Sequence, residues 1–427
     1  MVALPLSPAP ATLGWGAAFV DSLQGREVVP ALAVASAVAR ERLQADPLPS
    51  RREEDWRFTD TAPLAAIPPV VFGAGACALA DRAAAALPPA EPTSLRLALD
   101  GAGDPLADQT LPAGLERIPA SELAAWLTAA EAAGHQEPWT GSVAAAAGPL
   151  LALRVRGELT TVLELVSEAG AAEGVLPLQL LLVLEPGASL ELLEVHRAAG
   201  ASLTAIKAMI RLGEGARLRH GLIAQGAESA VLLADLAVRQ EPGSAYALSS
   251  VVSGWGLSRL EPRVLQVSGS AGTRLRSLQG CDGRQVADQH SAVRFEGPEG
   301  VLDQLHKTVA AGAGRSVFNG AVAVPRQAQR TDAAQLSRSL LLSDRARVDT
   351  KPQLEIVADD VKCAHGATVT RLQQEELFYL RSRGIDADTA ARLLLRGYCD
   401  EVLRELPAAA ALWQPLRHLL GEEAPAP

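Results

Sequence analysis

The chain has 427 residues, 48% of them hydrophobic, with 39 basic against 49 acidic side chains for a formal charge of −10. That apolar share supports one large elongated domain or two to three compact ones and excludes a disordered chain. The bases are almost all Arg, with Lys only at Lys207, Lys307, Lys351 and Lys362, so no basic tract marks a nucleic-acid partner.

No apolar run reaches the ~20 residues that cross a bilayer, and Met1 to Pro10 lacks the basic start of a secretory signal. The expectation is a cytosolic protein with no membrane partner. Cys77, Cys281, Cys363 and Cys399 are scattered without a Cys-x-x-Cys pair, which fits a reducing compartment rather than a disulfide framework.

From Leu13 to about Ala45 the Ala/Leu/Val-rich pattern predicts helix, stopped by Pro47 and Pro49. The charged run Arg51 to Asp60 contains Trp56 and Phe58 and reads as a solvated turn anchored by two aromatics. Pro68 to Pro112 is Ala-, Pro- and Gly-rich and reads as loose connection. Ser121 to Ala133 is a second helical stretch, with Ser121 as its cap and Glu122 beside the positive helix end.

At Gly148-Pro149 the pattern changes to short β-type runs between Gly, Pro and acidic turns. Gly187, Gly215, Gly243, Gly272 and Gly300 each precede a small and then usually a large apolar residue, at spacings of 28, 28, 29 and 28. Asp303 weakens the fifth copy. A constant period of this size, with strands between turns and no room for long helices, predicts a solenoid, most simply a parallel β-helix. The alternative is a β-sandwich with regular turns.

After Thr368 the pattern is helical again. Leu372 to Arg381 forms one amphipathic run that Gly384 ends, and Asp386 or Asp388 caps a second run bearing Leu393, Leu394, Leu395, Tyr398, Val402 and Leu403. The tail Glu422 to Pro427 reads as disordered. The expected division is residues 1–150, mixed and helical; 151–369, β-helix; and 370–427, helical.

Several chemistries are absent. No Gly-Lys dipeptide occurs, so the chain holds no P-loop. Asp359 and Asp360, with Asp349 and Glu355, imitate the clustered carboxylates of a carbohydrate-cleaving β-helix, but neighbours on a strand face opposite ways. The stretch Val361 to Thr368 is more pointed. On a strand, Cys363 and His365 share one face, and a thiol and an imidazole both suit iron, with Lys362 placed to lower the thiol pKa if it lies near in space. Two ligands cannot hold a cluster that takes about four, so the rest come from folding, from a partner chain, or not at all. His290 and His306 in the later coils could face the same surface, or act as hydrogen-bonded structural residues. Cys281 reads as a turn residue, and Cys77 and Cys399 as packing.

Phe318-Asn319-Gly320, the run from Gln329 through Thr331-Asp332-Ala333 to Gln335, Asp349-Thr350-Lys351-Pro352-Gln353, Asp359 to Thr368 and Leu377 to Ile385, with Glu54 to Thr59 further back, resemble the SufB/SufD family of the Suf iron–sulfur cluster assembly system, on the SufD side. The SufB pattern carries a cysteine after the glutamine and a glutamate after the histidine, whereas Leu336 follows Gln335 and Gly366 follows His365. The resemblance implies a right-handed parallel β-helix between helical ends, non-catalytic by itself and binding no nucleotide. It implies partnership with SufB and the ATPase SufC, or a homodimer without SufB. A transient iron–sulfur cluster would be shared with SufB at His365, with Cys363 beside it. The helical end, through Leu377, Phe378, Tyr379, Arg381, Arg383, Gly384, Leu394 and Tyr398, would dock SufC. Two other readings are a structural adaptor in which Cys363 and His365 only pack, and a β-helix enzyme acting on carbohydrate.

Overall fold

The computed structural model describes residues 14–45, 48–72, 93–101, 103–131, 138–170 and 173–420. Met1 to Pro10, Cys77 and the tail from Glu422 lie outside them. Helices α1 (Trp15–Ser22), α2 (Ala33–Ala45) and α3 (Ala62–Ala65) precede strands β1 (Ser94–Ala98) and β2 (Leu115–Arg117) and helices α4 (Ala120–Glu131) and α5 (Trp139–Ala147). Strands then follow without interruption: β3 (Leu150–Val155), β4 (Val162–Glu168), β5 (Gly174–Leu184), β6 (Ser189–Arg197), β7 (Ser202–Leu212), β8 (Arg217–Gln225), β9 (Val231–Gln240), β10 (Ala245–Ser253), β11 (Leu257–Gln266), β12 (Gly272–Cys281), β13 (Val286–Phe295), β14 (Val301–Ala310), β15 (Arg315–Val324), β16 (Asp332–Leu341), β17 (Arg347–Ile356) and β18 (Lys362–Thr370). Helices α6 (Gln374–Ser382), α7 (Ala387–Leu403) and α8 (Arg417–Leu420) end the described chain.

The strands form two nine-stranded sheets, β1 with the even strands from β4 to β18, and β2 with the odd strands from β3 to β17. Pairing is parallel throughout except between β2 and β3. This is the expected β-solenoid, and the sandwich alternative falls. Its register does not slip: Ser189, Arg217, Ala245, Gly272, Val301, Asp332 and Lys362 stand one above the next. Strands buried on both faces explain runs such as Gly174–Leu184, in which every residue is buried. The inner faces make one continuous apolar core. The outer face of the odd sheet is covered by α1, α2 and α5 through Phe19, Leu43 and Val143 against Val175, Leu203 and Val231. The outer face of the even sheet is covered by α7 and Trp413 against Val195, Ile223, Val251 and Leu278.

The corners correct the glycine repeat. Gly187, Gly215 and Gly243 sit at φ of 72°, 66° and 69°, but the same corner in later coils is taken by Ser270, Glu299 and Arg330, at 52°, 62° and 58°. Each corner N–H donates to a carbonyl of the following coil, from Gly187 to Glu214 at 2.8 Å through to Arg330 to Asp360 at 2.6 Å. Gly272 instead opens β12. A Cβ at Gly300 would lie 2.4 Å from the Phe295 ring, so close packing requires that glycine.

Other expectations change as well. The stretch to Ala45 is two helices, because Gly25 turns at φ 78° and Pro30 opens a new short helix. Within Pro68 to Pro112, Ser94–Ala98 is a sheet strand rather than loose connection. Helix α4 starts at Ala120, which puts Ser121 inside its first turn instead of at the cap. Cys281 is the last residue of β12 and buried, and the turn belongs to Asp282-Gly283. Gly384, at φ 86°, ends α6, and Asp386 caps α7 by accepting from the Thr389 N–H at 2.9 Å.

Candidate functional site at the open end of the solenoid

Both sheets stop at an edge, β17 in one and β18 in the other. Most residues of these two strands are exposed or half-buried, unlike those of the coils beneath. Cys363 and His365 lie on β18, paired with Ala333 and Gln335 of β16. Cys363 packs partly buried against the solenoid core, so the alternation of a strand puts His365, two residues on, in the inward row. No further coil covers it, and His365 is exposed.

The inward row beneath His365 runs Leu192, His220, Leu248, Leu275, Gln304, Gln335. Near the mouth it turns from aliphatic to amide. Gln335 Nε2 donates to Gln304 Oε1 at 3.0 Å, and Gln304 Nε2 donates to Ser291 Oγ at 2.7 Å. The neighbouring row holds His306, fully buried and stacked on Phe318 at 4.4 Å, its Nδ1 2.8 Å from Ser277 Oγ and its Nε2 3.1 Å from Thr308 Oγ1. Burial pushes its pKa down to about 3, so it is a neutral structural histidine.

His290 does not share that surface. It is on the outer face of β13, 3.1 Å from Asp288. There the Arg259 guanidinium lies 3.9 Å over the Trp56 ring and donates to the Asp55 carbonyl and to Asp288 Oδ2, both at 2.8 Å. Thr59 Oγ1 donates to the same carboxylate at 2.6 Å. Burial alone would raise the Asp288 pKa, yet His290 and Arg259 hold it at about 2. Trp56 is therefore the buried anchor of a charged turn whose Arg51 to Asp55 are exposed, in line with the sequence. Its segment fastens the N-terminal region to the odd sheet and, through Glu54 to Lys351 at 2.5 Å, to the edge strand β17.

The Cys363 thiol is pushed above its usual pKa, first by burial and then by Asp332. Lys362 faces the other way along the strand and does not lower it. Asp349 pairs with Arg315 at 2.7 Å, and Glu355, Asp359 and Asp360 are exposed, so these acids do not converge on a cleft. Among the described residues no three His, Cys, Asp or Glu side chains converge to hold a metal ion.

On α6, which buries no residue, Phe378 and Tyr379 are 72% and 59% exposed. Arg381 and Arg383 are exposed, with Arg383 stacked 5.3 Å over Tyr379, while Leu377 and Leu394 are half-buried. Tyr398 differs from these. Its hydroxyl donates to the Arg338 carbonyl at 2.6 Å, and its own carbonyl accepts from Lys307 Nζ at 2.7 Å, with Lys307 paired to Glu401 at 2.6 Å. It anchors α7 to the even sheet.

Sequence reasoning missed a second polar system inside the solenoid. Ser167 Oγ lies 2.8 Å from His196 Nδ1; Glu194 lies 3.2 Å from His196 Nε2 and 2.9 Å from His220 Nε2; and His220 Nδ1 lies 3.1 Å from the Tyr246 hydroxyl. All five are buried. The available signal was a polar residue at inward positions of otherwise leucine-rich strands.

No helix among the described residues is long and apolar enough to cross a membrane. Residues 167–398, more than half of the chain, match the family described as SUF system FeS cluster assembly, SufBD core domain. A SufBD family iron–sulfur cluster assembly protein of Synechocystis is 40% identical over 201 residues, 47% of this chain and 44% of that protein. The chloroplastic protein ABCI7 of Arabidopsis thaliana is 39% identical over 209 residues, 49% of this chain and 44% of its own. The iron–sulfur cluster assembly protein SufD of Escherichia coli is 50% identical over 103 residues, 24% of each chain. The matched stretch thus spans less than half the length of these curated relatives. With the β-solenoid and the family match in agreement, the chain belongs to the SufBD family of SUF-system iron–sulfur cluster assembly proteins.

Proposed function

We propose that the chain is a non-catalytic scaffold that forms one side of an iron–sulfur assembly site in the cytosol. The unpaired edges of β17 and β18 join the matching edges of a SufB-like scaffold, and His365, with Cys363 nearby, faces that junction. The nascent cluster is cargo, held jointly because this chain brings one imidazole and one thiol where about four ligands are needed. A SufC-like ATPase docks on α6 and the start of α7, supplying the nucleotide chemistry. Without the SufB-like partner, the same edge pairs with a second copy of the chain.

The observation that carries this proposal is the exposed imidazole of His365 on the last, uncapped strand of a solenoid. Open strand edges are templates for pairing. An adaptor in which Cys363 and His365 only pack would bury both inside a coil, and the exposure of His365 speaks against it; the carbohydrate reading drew on Asp349, Glu355, Asp359 and Asp360, of which the first is paired with Arg315 and the others are exposed. The test is anaerobic reconstitution of the complex of this chain with SufB-like and SufC-like partners, followed by iron and sulfide analysis. His365→Ala should lower the cluster yield with the complex intact. An unchanged yield would remove the ligand role.

A further inference from the structure

We propose that Gln335 is the positioning residue for His365: its side-chain oxygen, unpartnered while the ring stands exposed, is the acceptor for the imidazole N–H when the ring turns into the lumen, and so selects which ring nitrogen is left free at the mouth of the solenoid. The inference rests on the ligand role given to His365 above.

Gln335 is 3% exposed. Its amide donates inward to Gln304, and Gln304 donates onward to Ser291. Both donors therefore point away from the mouth, which fixes the end of the Gln335 amide that carries oxygen. That oxygen is buried and has no hydrogen-bond partner. Buried acceptors without partners are rare and costly. The next residue of the row is His365, paired with Gln335 across adjacent strands, about 4.8 Å away at the backbone. The opposite wall leaves the amide room. A Cβ at Gly320 would lie 2.1 Å from Gln335 Nε2 and 2.9 Å from Oε1, so only bare backbone lets the amide lie across the lumen there. This accounts for glycine in the Phe318-Asn319-Gly320 motif.

A neutral imidazole donates from one nitrogen and offers a lone pair from the other. An acceptor behind the ring holds its orientation and makes the free nitrogen more basic toward a metal. The Ser291–Gln304–Gln335 chain, buried in the lumen, is the base for that acceptor.

Nitrogen NMR shifts of histidine-labelled protein read the tautomer directly, with His365 assigned by its loss in His365→Ala and the pH held where the ring is neutral. The wild-type chain should show one dominant tautomer. Gln335→Met, which keeps length and volume but no acceptor, should shift the tautomer ratio about fivefold, the equivalent of one net hydrogen bond. Gln335→Glu, which keeps an oxygen at the same place, should hold the wild-type preference. A Gln335→Met protein with native circular dichroism and an unchanged ratio overturns the proposal. If Gln335→Met does not fold, a folded Gln335→Glu protein with its two tautomers near parity overturns it instead. Failure of the ligand role appears elsewhere, as undiminished cluster yield in His365→Ala, and leaves the tautomer result standing.

Discussion

The buried carboxylate of Glu194 makes the solenoid acid-sensitive at a defined place. It is enclosed in the lumen with His196 and His220 on either side. Burial by itself would raise its pKa, but the two histidines bring it from the usual 4.5 down to about 2. A folded-state pKa below the unfolded one stabilises the fold at pH above the unfolded value, and the gain disappears as pH falls through the folded value. At roughly 1.4 kcal/mol per pK unit the full contribution is about 3 kcal/mol, of which about 2 kcal/mol is lost by about pH 3. Glu194→Gln retains the shape and can bond both imidazoles but has no proton to take up. Urea midpoints of the two proteins, measured from neutral pH down to about 3, should converge by about 2 kcal/mol on acidification. Two parallel curves would refute the assignment of that acid sensitivity to Glu194.

Three further outcomes are expected. Tyr398→Phe leaves the Arg338 carbonyl without its 2.6 Å partner, which costs about 1–2 kcal/mol; hydrogen exchange in α7 should speed up while the strands keep their protection. Phe378→Ala and Tyr379→Ala, at exposed positions, should leave stability within about 0.5 kcal/mol and yet reduce co-purification with the SufC-like ATPase. Because the Cys363 pKa is raised above its usual 9.0, its alkylation by iodoacetamide should climb about tenfold per pH unit from neutrality upward with no plateau below 9. Cys281 and Cys399, buried and pushed up to about 12, should stay unmodified over that range.

The solenoid was legible because its coils keep nearly constant length, and period-two alternation sets Cys363 and His365 on one face without knowledge of the fold. What the glycines did at each corner was not legible. Ser270, Glu299 and Arg330 accept the left-handed conformation because the coil above satisfies their N–H groups, a tertiary effect that outweighs a local preference of about 1–2 kcal/mol. That Trp56 anchors its charged turn was legible, but not that it does so beneath the Arg259 guanidinium, some two hundred residues away in sequence. The amide ladder of Gln335, Gln304 and Ser291 and the Glu194 network also needed the register, since rows form between residues 28 to 31 positions apart. Tyr398 read as part of an apolar stripe, and its hydroxyl contacts with β14 and β16 became visible only in the fold.

The edge strands β17 and β18 carry the account, because a cluster shared between two chains requires the seam to form there. Hydrogen exchange of the whole chain, alone and with a SufB-like scaffold, measures this directly. Slowed exchange concentrated in Arg347–Ile356 and Lys362–Thr370 is the predicted result. Protection elsewhere, with those two strands exchanging as fast in the complex as alone, would contradict it.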